Sequence, residues 1–195
     1  MNNINLIYAR LDSLYDKFDV YLEHISLKRQ QKILAISDLD AKINSLGGAL
    51  LLNEAASCFG VCADDVKYTL KGKPYIENAD FHFSISHSDG FAACSFGKMP
   101  SGCDIQVKRK INLKIAERFF SEKERQEIFA APIPQDEFFR VWCQKESAYK
   151  LTGVNDCIVE NKHKIKFQNF KLLDNLYLSI CSFDDICVNP MQIEF

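Results

Sequence analysis

Four short stretches hold side chains that could do chemistry. Asp104 lies within Gly102-Cys103-Asp104-Ile105-Gln106, an acid between apolar neighbours. A carboxylate in an apolar strand needs a cation or hydrogen-bond donors, unless it faces water from a sheet edge. Trp142-Cys143-Gln144-Lys145-Glu146-Ser147-Ala148-Tyr149-Lys150 carries two lysines and a carboxylate. Glu146 and Lys150 stand one helical turn apart, a spacing that on a bare helix gives a solvated pair worth about 0.3–0.5 kcal/mol. Set beside a half-buried aromatic stripe, the same charges also suit an anionic phosphate with a divalent ion. Mg²⁺ takes one or two carboxylates, keeps waters and uses phosphate oxygens as further ligands. Asp104 and Glu146 would supply those carboxylates if the fold brings them together.

Glu124 follows Ser121 at the spacing of a capping box, in which the glutamate returns to the backbone N–H of the cap. Ser86-His87-Ser88 ends an apolar/polar alternation, and no GxSxG nucleophile elbow surrounds it. Hydroxyls and an imidazole at a strand end suit phosphate contact as well as nucleophilic catalysis. Lys28, Arg29 and Lys32 form a basic cluster at helical spacing, and Lys73 stands before Pro74 in a rigid turn.

The elements that must position these residues are legible in outline. Residues 4–10 alternate like a strand, and 25–36 and 38–58 read as helices, the second capped by Ser37 or Asp38. Residues 64–80 are turn-rich. Phe81, Phe83 and Ile85 alternate with His82, Ser84 and Ser86, the pattern of a half-buried strand. Asp89-Gly90 signals a hairpin, Phe91–Phe96 the return strand and Cys103–Val107 a third, so 81–107 reads as an antiparallel meander. Helices are expected at 112–120, 121–129 and 136–152, capped by Asn112, Ser121 and Asp136, the last stopping at Gly153. Strand patterns follow at 164–170, 176–183 and 186–194. The fold class is α+β, in two halves of similar order that meet near residues 99–102.

The chain has 195 residues with 24 Lys+Arg against 26 Asp+Glu, a net charge of −2, and is 47% hydrophobic. That balance excludes a disordered chain and gives no global attraction to nucleic acid or anionic membrane. The first residues lack a basic start followed by a continuous apolar core, so no secretory signal is expected. A cytoplasmic setting follows, with the eight cysteines reduced, most of them as buried thiols.

Five motifs in order, GKP (72–74), FHFSISHS (81–88), GCDIQ (102–106), AERFFSEKE (116–124) and WCQKESAYK (142–150), resemble the 4′-phosphopantetheinyl transferase superfamily. The resemblance is to its larger, pseudo-dimeric class, which activates peptide and polyketide synthases. It implies two similar α+β subdomains, 1–100 and 101–195, packed as an intramolecular pseudo-dimer around coenzyme A. It also implies Mg²⁺-dependent transfer of the 4′-phosphopantetheine arm to a serine of an apo acyl or peptidyl carrier protein, releasing adenosine 3′,5′-bisphosphate. By motif position, Asp104 and Glu146 are implied as metal carboxylates, Glu146 also helping to deprotonate the carrier serine. Glu124 is implied near the metal, as catalytic residue, cap or both. Lys145 and Lys150 are implied as pyrophosphate partners, Lys150 with a catalytic part. Ser86 and His87 are implied at the 3′-phosphate and pyrophosphate, Lys73 beside the adenine nucleotide, and Lys28 and Lys32 at the 3′-phosphate.

Two positions depart from the pattern. Gln106 stands where many relatives carry a second acid, which implies weaker Mg²⁺ binding or one more water ligand. Ile43 stands where relatives often have Arg, with Lys42 or Asn44 as substitutes. The carrier would dock on the region after 107 and on 112–129, with Phe119, Phe120 and Phe129, and the enzyme would act as a monomer. The alternatives are a non-catalytic module that binds coenzyme A or a carrier protein, and a Mg²⁺-dependent phosphohydrolase. The second would call for a denser acidic cluster than this sequence offers.

Overall fold

The computed structural model describes residues 4–70, 72–77, 79–153 and 164–195. The first half runs β1 (Ile4–Arg10), α1 (Ser13–Asp16), α2 (Phe18–Leu22), α3 (Leu27–Leu34), α4 (Leu39–Ser57), β2 (Val66–Tyr68), β3 (Pro74–Ile76), β4 (His82–Ser88) and β5 (Phe91–Gly97). The second runs β6 (Gly102–Val107), α5 (Ala116–Phe119), α6 (Glu122–Ala130), α7 (Pro134–Thr152), β7 (Lys166–Leu173), β8 (Leu176–Ser182) and β9 (Met191–Ile193).

The strands form a sheet of order β4-β5-β1-β9, a small β2-β3 hairpin, and a sheet of order β6-β8-β7. The order β4-β5-β1 recurs as β7-β8-β6, antiparallel throughout. β9 returns from the end of the chain to lie parallel to β1 in the first sheet.

Alternation along the strands builds two cores. Ile7 and Ala9 of β1, with Ala92, Cys94 and Phe96 of β5, pack with α4 residues Ile43, Leu46 and Leu50. The opposite face, Ile4, Leu6 and Ala93, packs against Cys103 and Ile105 of β6 and Leu176, Leu178 and Ile180 of β8. The far face of the second sheet meets α7 through Tyr177, Phe139 and Cys143. The layers are therefore α4, first sheet, second sheet, α7.

Local chemistry explains most element ends. Asp38 accepts from Ala41 N–H at 2.8 Å to cap α4. Asp89 and Gly90 both have positive φ, 41° and 80°, as a two-residue hairpin turn requires. α7 stops at Gly153, which is left-handed.

Several expectations are corrected. The run 81–107 is not one meander, because β6 leaves β5 and pairs with β8 in the other sheet. β4 is not half-buried in the usual sense, because Ser84 and Ser86 are buried against β6. The α7 cap is Ile133, with Pro134 and Asp136 both in the first turn, Asp136 bound to Lys108 and Lys171. Residues 112–120 form a short 3₁₀ turn, Leu113–Ile115, followed by the single turn α5. The strand expected at 186–194 is limited to β9, and 64–80 contains the β2-β3 hairpin. Cys94, Cys103, Cys143 and Cys181 are buried while Cys58, Cys62 and Cys187 are exposed; Cys157 lies outside the described residues. Among the described residues no helix is long and apolar enough to cross a membrane.

Candidate functional site

The site begins with a close approach of helix to strand. A Cβ on Gly102 would stand 2.0 Å from the Ser147 carbonyl oxygen and 2.8 Å from the Leu151 nitrogen, both backbone atoms of α7. Glycine therefore lets the helix lie directly on β6. Two residues on, Asp104 turns to the same side, since side chains two apart share a face. It is 2% exposed, not the water-facing edge residue its sequence position allowed.

Three donors converge on this carboxylate. Lys150 Nζ and Ser86 Oγ each stand 2.7 Å from Oδ1, and Gln106 Nε2 stands 3.0 Å from Oδ2. Lys150 comes from the last turn of α7 and Ser86 from β4, so α7, β4 and β6 all meet at Asp104. Lys150 thus forms an ion pair with Asp104 across from helix to strand. Glu146 is half-buried on α7, one helical turn before Lys150. The Cys143 thiol is pushed well up by its burial and then by the negative charges of Asp104 and Glu146, with Lys150 pulling the other way. The Cys143 thiol is thus within electrostatic reach of all three groups.

Glu124 and Lys145 form a neighbouring pair. Lys145 Nζ lies 3.3 and 3.2 Å from the two Glu124 oxygens and 5.5 Å from the centre of the Phe120 ring. Glu124 also completes the capping box, accepting from Ser121 N–H at 2.7 Å. Burial pushes its carboxyl upward, but the Ser121 hydrogen bonds and Lys145 outweigh that and hold it below the ordinary carboxylate value.

On the other face of β4 lies a cleft of about 240 Å³. Lys28, Arg29 and Lys32 of α3, Asn44 and Ser45 of α4, and His87 line it over an apolar floor that includes Phe83 and Ile85. Ile43 points into the core, so of the substitutes named for it Asn44 reaches the cleft. Crowding of His87 by surrounding protein, and then Lys150, lower its pKa, while Asp104 opposes them. The cleft and the acid cluster are thus electrostatic neighbours. Lys73 is placed differently: its Nζ donates to the Leu151 carbonyl at 3.0 Å, at the end of α7, and burial lowers its pKa. Pro74, not Lys73, is among the residues lining the cleft.

Two features escaped sequence reading. Tyr68 forms part of the cleft wall, its hydroxyl accepting from Arg29 at 3.0 Å and its ring 5.0 Å from Lys32 Nζ. Three residues of β2 are too few to show a strand period. Ser84 and Ser88 flank Ser86 at the junction of the sheets, and nothing local says which strand their hydroxyls meet.

Among the described residues no three His, Cys, Asp or Glu side chains gather to hold a metal by themselves. Asp104 and Glu146 offer carboxylate oxygens, while the Gln106 amide nitrogen donates to Asp104 Oδ2, so the protein would supply few ligands, all oxygen. Such a set fits a hard cation that completes its shell with water and phosphate oxygens.

A profile of the 4′-phosphopantetheinyl transferase superfamily matches residues 100–180. The chain is 34% identical over 119 residues to 4′-phosphopantetheinyl transferase Sfp of Bacillus subtilis, covering 58% of this chain and 53% of that protein. It is 33% identical over 153 residues to 4′-phosphopantetheinyl transferase ffp of Bacillus subtilis, covering 75% of this chain and 68% of that one. It is 29% identical over 159 residues to 4′-phosphopantetheinyl transferase gsp of Aneurinibacillus migulanus, covering 77% and 66%. The chain thus spans about half the length of Sfp and about two thirds of the other two.

Proposed function

The chain belongs to the 4′-phosphopantetheinyl transferase superfamily, and on that premise we propose that it moves the phosphopantetheine arm of coenzyme A onto a serine of an apo carrier protein. The observation that carries this reading is Asp104, a buried carboxylate paired with Lys150 and bonded to Ser86 of β4, the strand whose His87 borders a cleft lined by Lys28 and Lys32. Coenzyme A brings three phosphate groups, and a chain of net charge −2 must meet them with local cations.

In the proposed step the carrier serine oxygen bonds to the phosphorus that bears the pantetheine arm. The bond from that phosphorus to the bridging oxygen breaks, and its electron pair leaves with adenosine 3′,5′-bisphosphate. The serine proton passes to Glu146. Lys150 and Lys145 offset charge on the pyrophosphate, Lys145 while still tied to Glu124. Lys28 and Lys32 hold the 3′-phosphate. Asp104 and Glu146 would hold Mg²⁺, which when bound would supply positive charge favouring departure of the bisphosphate. Lys73 belongs to this machinery through α7, by fixing the helix end that carries Lys150. The carrier docks on 112–129, where Phe119 and Phe129 are exposed together with Ile115, whereas Phe120 is buried in the core and not part of that surface. We further propose a cytoplasmic monomer whose subdomains, 1–100 and 101–195, share the site between them.

The reading predicts that adenosine 3′,5′-bisphosphate appears one-for-one with modified carrier when enzyme, coenzyme A, Mg²⁺ and apo carrier are mixed. Chromatography of the nucleotide beside intact mass of the carrier measures both. Bisphosphate without carrier modification would instead mark a hydrolase, and binding without either product a non-catalytic module.

A further inference from the structure

β4 turns three hydroxyls toward β6, and each accepts one backbone N–H of that strand. Ser84 accepts from Cys103, Ser86 from Ile105 and Ser88 from Val107, every one at 3.2 Å. β4 and β6 are edge strands of different sheets, so side-chain oxygens here do what carbonyls do within a sheet. The rungs repeat at the two-residue period of both strands and so fix which residue of β6 faces which residue of β4.

Ser86 does more than its neighbours. Its Oγ also stands 2.7 Å from Asp104 Oδ1, which as a carboxylate can only accept. A hydroxyl has one proton to give. At Ser86 that proton goes to Asp104 while a lone pair takes the Ile105 N–H, which leaves none for a phosphate. Burial to 4% exposure agrees with an inward role. We propose that Ser86 is a positioning residue for Asp104 and not a phosphate contact, and that the three-serine ladder sets the register between the sheets at the site. By fixing Oδ1, Ser86 sets the direction of Oδ2, which takes one hydrogen bond from Gln106 Nε2 and keeps a lone pair for a cation. The inference rests on the reading of Asp104 as a cation ligand given above.

The test compares wild type, Ser86→Ala and Ser88→Ala, the last losing a rung without touching Asp104. Mn²⁺ affinity is measured by electron paramagnetic resonance, and affinity for adenosine 3′,5′-bisphosphate by calorimetry in EDTA. Loss of a group that orients a metal ligand typically costs about 10–100-fold in metal affinity. Ser86→Ala should weaken Mn²⁺ binding about 10-fold and leave metal-free nucleotide binding unchanged. Ser88→Ala should lower the urea midpoint with Mn²⁺ affinity as in wild type. Wild-type Mn²⁺ affinity in Ser86→Ala, weakened metal-free nucleotide binding in that variant, or a wild type that binds no Mn²⁺ would each overturn the proposal. A wild type that modifies no carrier would remove the transferase reading, whereas Mn²⁺ loss in Ser86→Ala would still support the positioning role.

Discussion

Asp104 is the residue on which the site's energetics turn, because a buried anion is costly unless donors surround it. Lys150 supplies the positive charge at 2.7 Å, and its side chain is 26% exposed against 3% for Asp104. Removing the lysine leaves the acid buried with neutral donors alone. Lys150→Met should therefore destabilise the protein by about 2 kcal/mol, the range for a hydrogen bond to a charged group. Adding Asp104→Asn to Lys150→Met should recover part of that loss, since neither charge then remains. Urea midpoints of the two single variants and the double measure this; strictly additive losses would show that the two side chains do not interact. At this scale the sequence was informative where a residue was out of place among its neighbours, as Asp104 is between Cys103 and Ile105. It marked Ser86 as a polar residue at a strand end but not its partner, which belongs to another sheet and is set by tertiary packing.

Elements carry these residues to one another, and α7 does most of it. Its contact with β6 depends on the missing Cβ of Gly102. Gly102→Ala would press a methyl group onto backbone atoms of α7 that cannot rotate away. The helix must shift, at a cost of about 3 kcal/mol as overpacking costs run, and Lys150 shifts with it. A urea midpoint equal to wild type would contradict this. The other end of α7 is fixed by charge. Burial pushes Asp136 up, but hydrogen bonds from Lys108 and Lys171 outweigh it and hold the carboxyl at about 2, below its ordinary 3.8. A depressed folded value stabilises above the unfolded value and is lost as pH falls through the folded one. Wild type should thus exceed Asp136→Asn in urea midpoint at pH 6, and the gap should close between about pH 4 and pH 2. A gap that persists unchanged at pH 2 would count against the ion pairs. Helices α6 and α7 show the limits of local signals. Ser121 and Gly153 mark element ends as the sequence indicates, but Asp136 resembles a cap and is instead an anchor for β6 and β7. Likewise the turn at Asp89-Gly90 and the strand pattern at 103–107 suggest a continuing meander, not that β6 joins a different sheet.

In the whole molecule the two sheets pack face to face, and their junction is where the acid cluster and the cationic cleft come within electrostatic reach. The repeat of β4-β5-β1 as β7-β8-β6 was foreshadowed by the similar order of the two halves. The return of β9 to β1 was not, because three residues bear no mark of their partner. The central claim is that Asp104 and Glu146 work as one acidic pair at that junction to drive transfer to a carrier serine. Intact mass of an apo carrier protein after incubation with coenzyme A and Mg²⁺ tests it most directly, with wild type beside Asp104→Asn and Glu146→Gln, each verified as folded by circular dichroism. The carrier should gain the phosphopantetheine mass with wild type, and at least about 100-fold more slowly with either variant, as for loss of a general base. A carrier left unmodified by wild type, or modified as fast by the variants, would contradict the account.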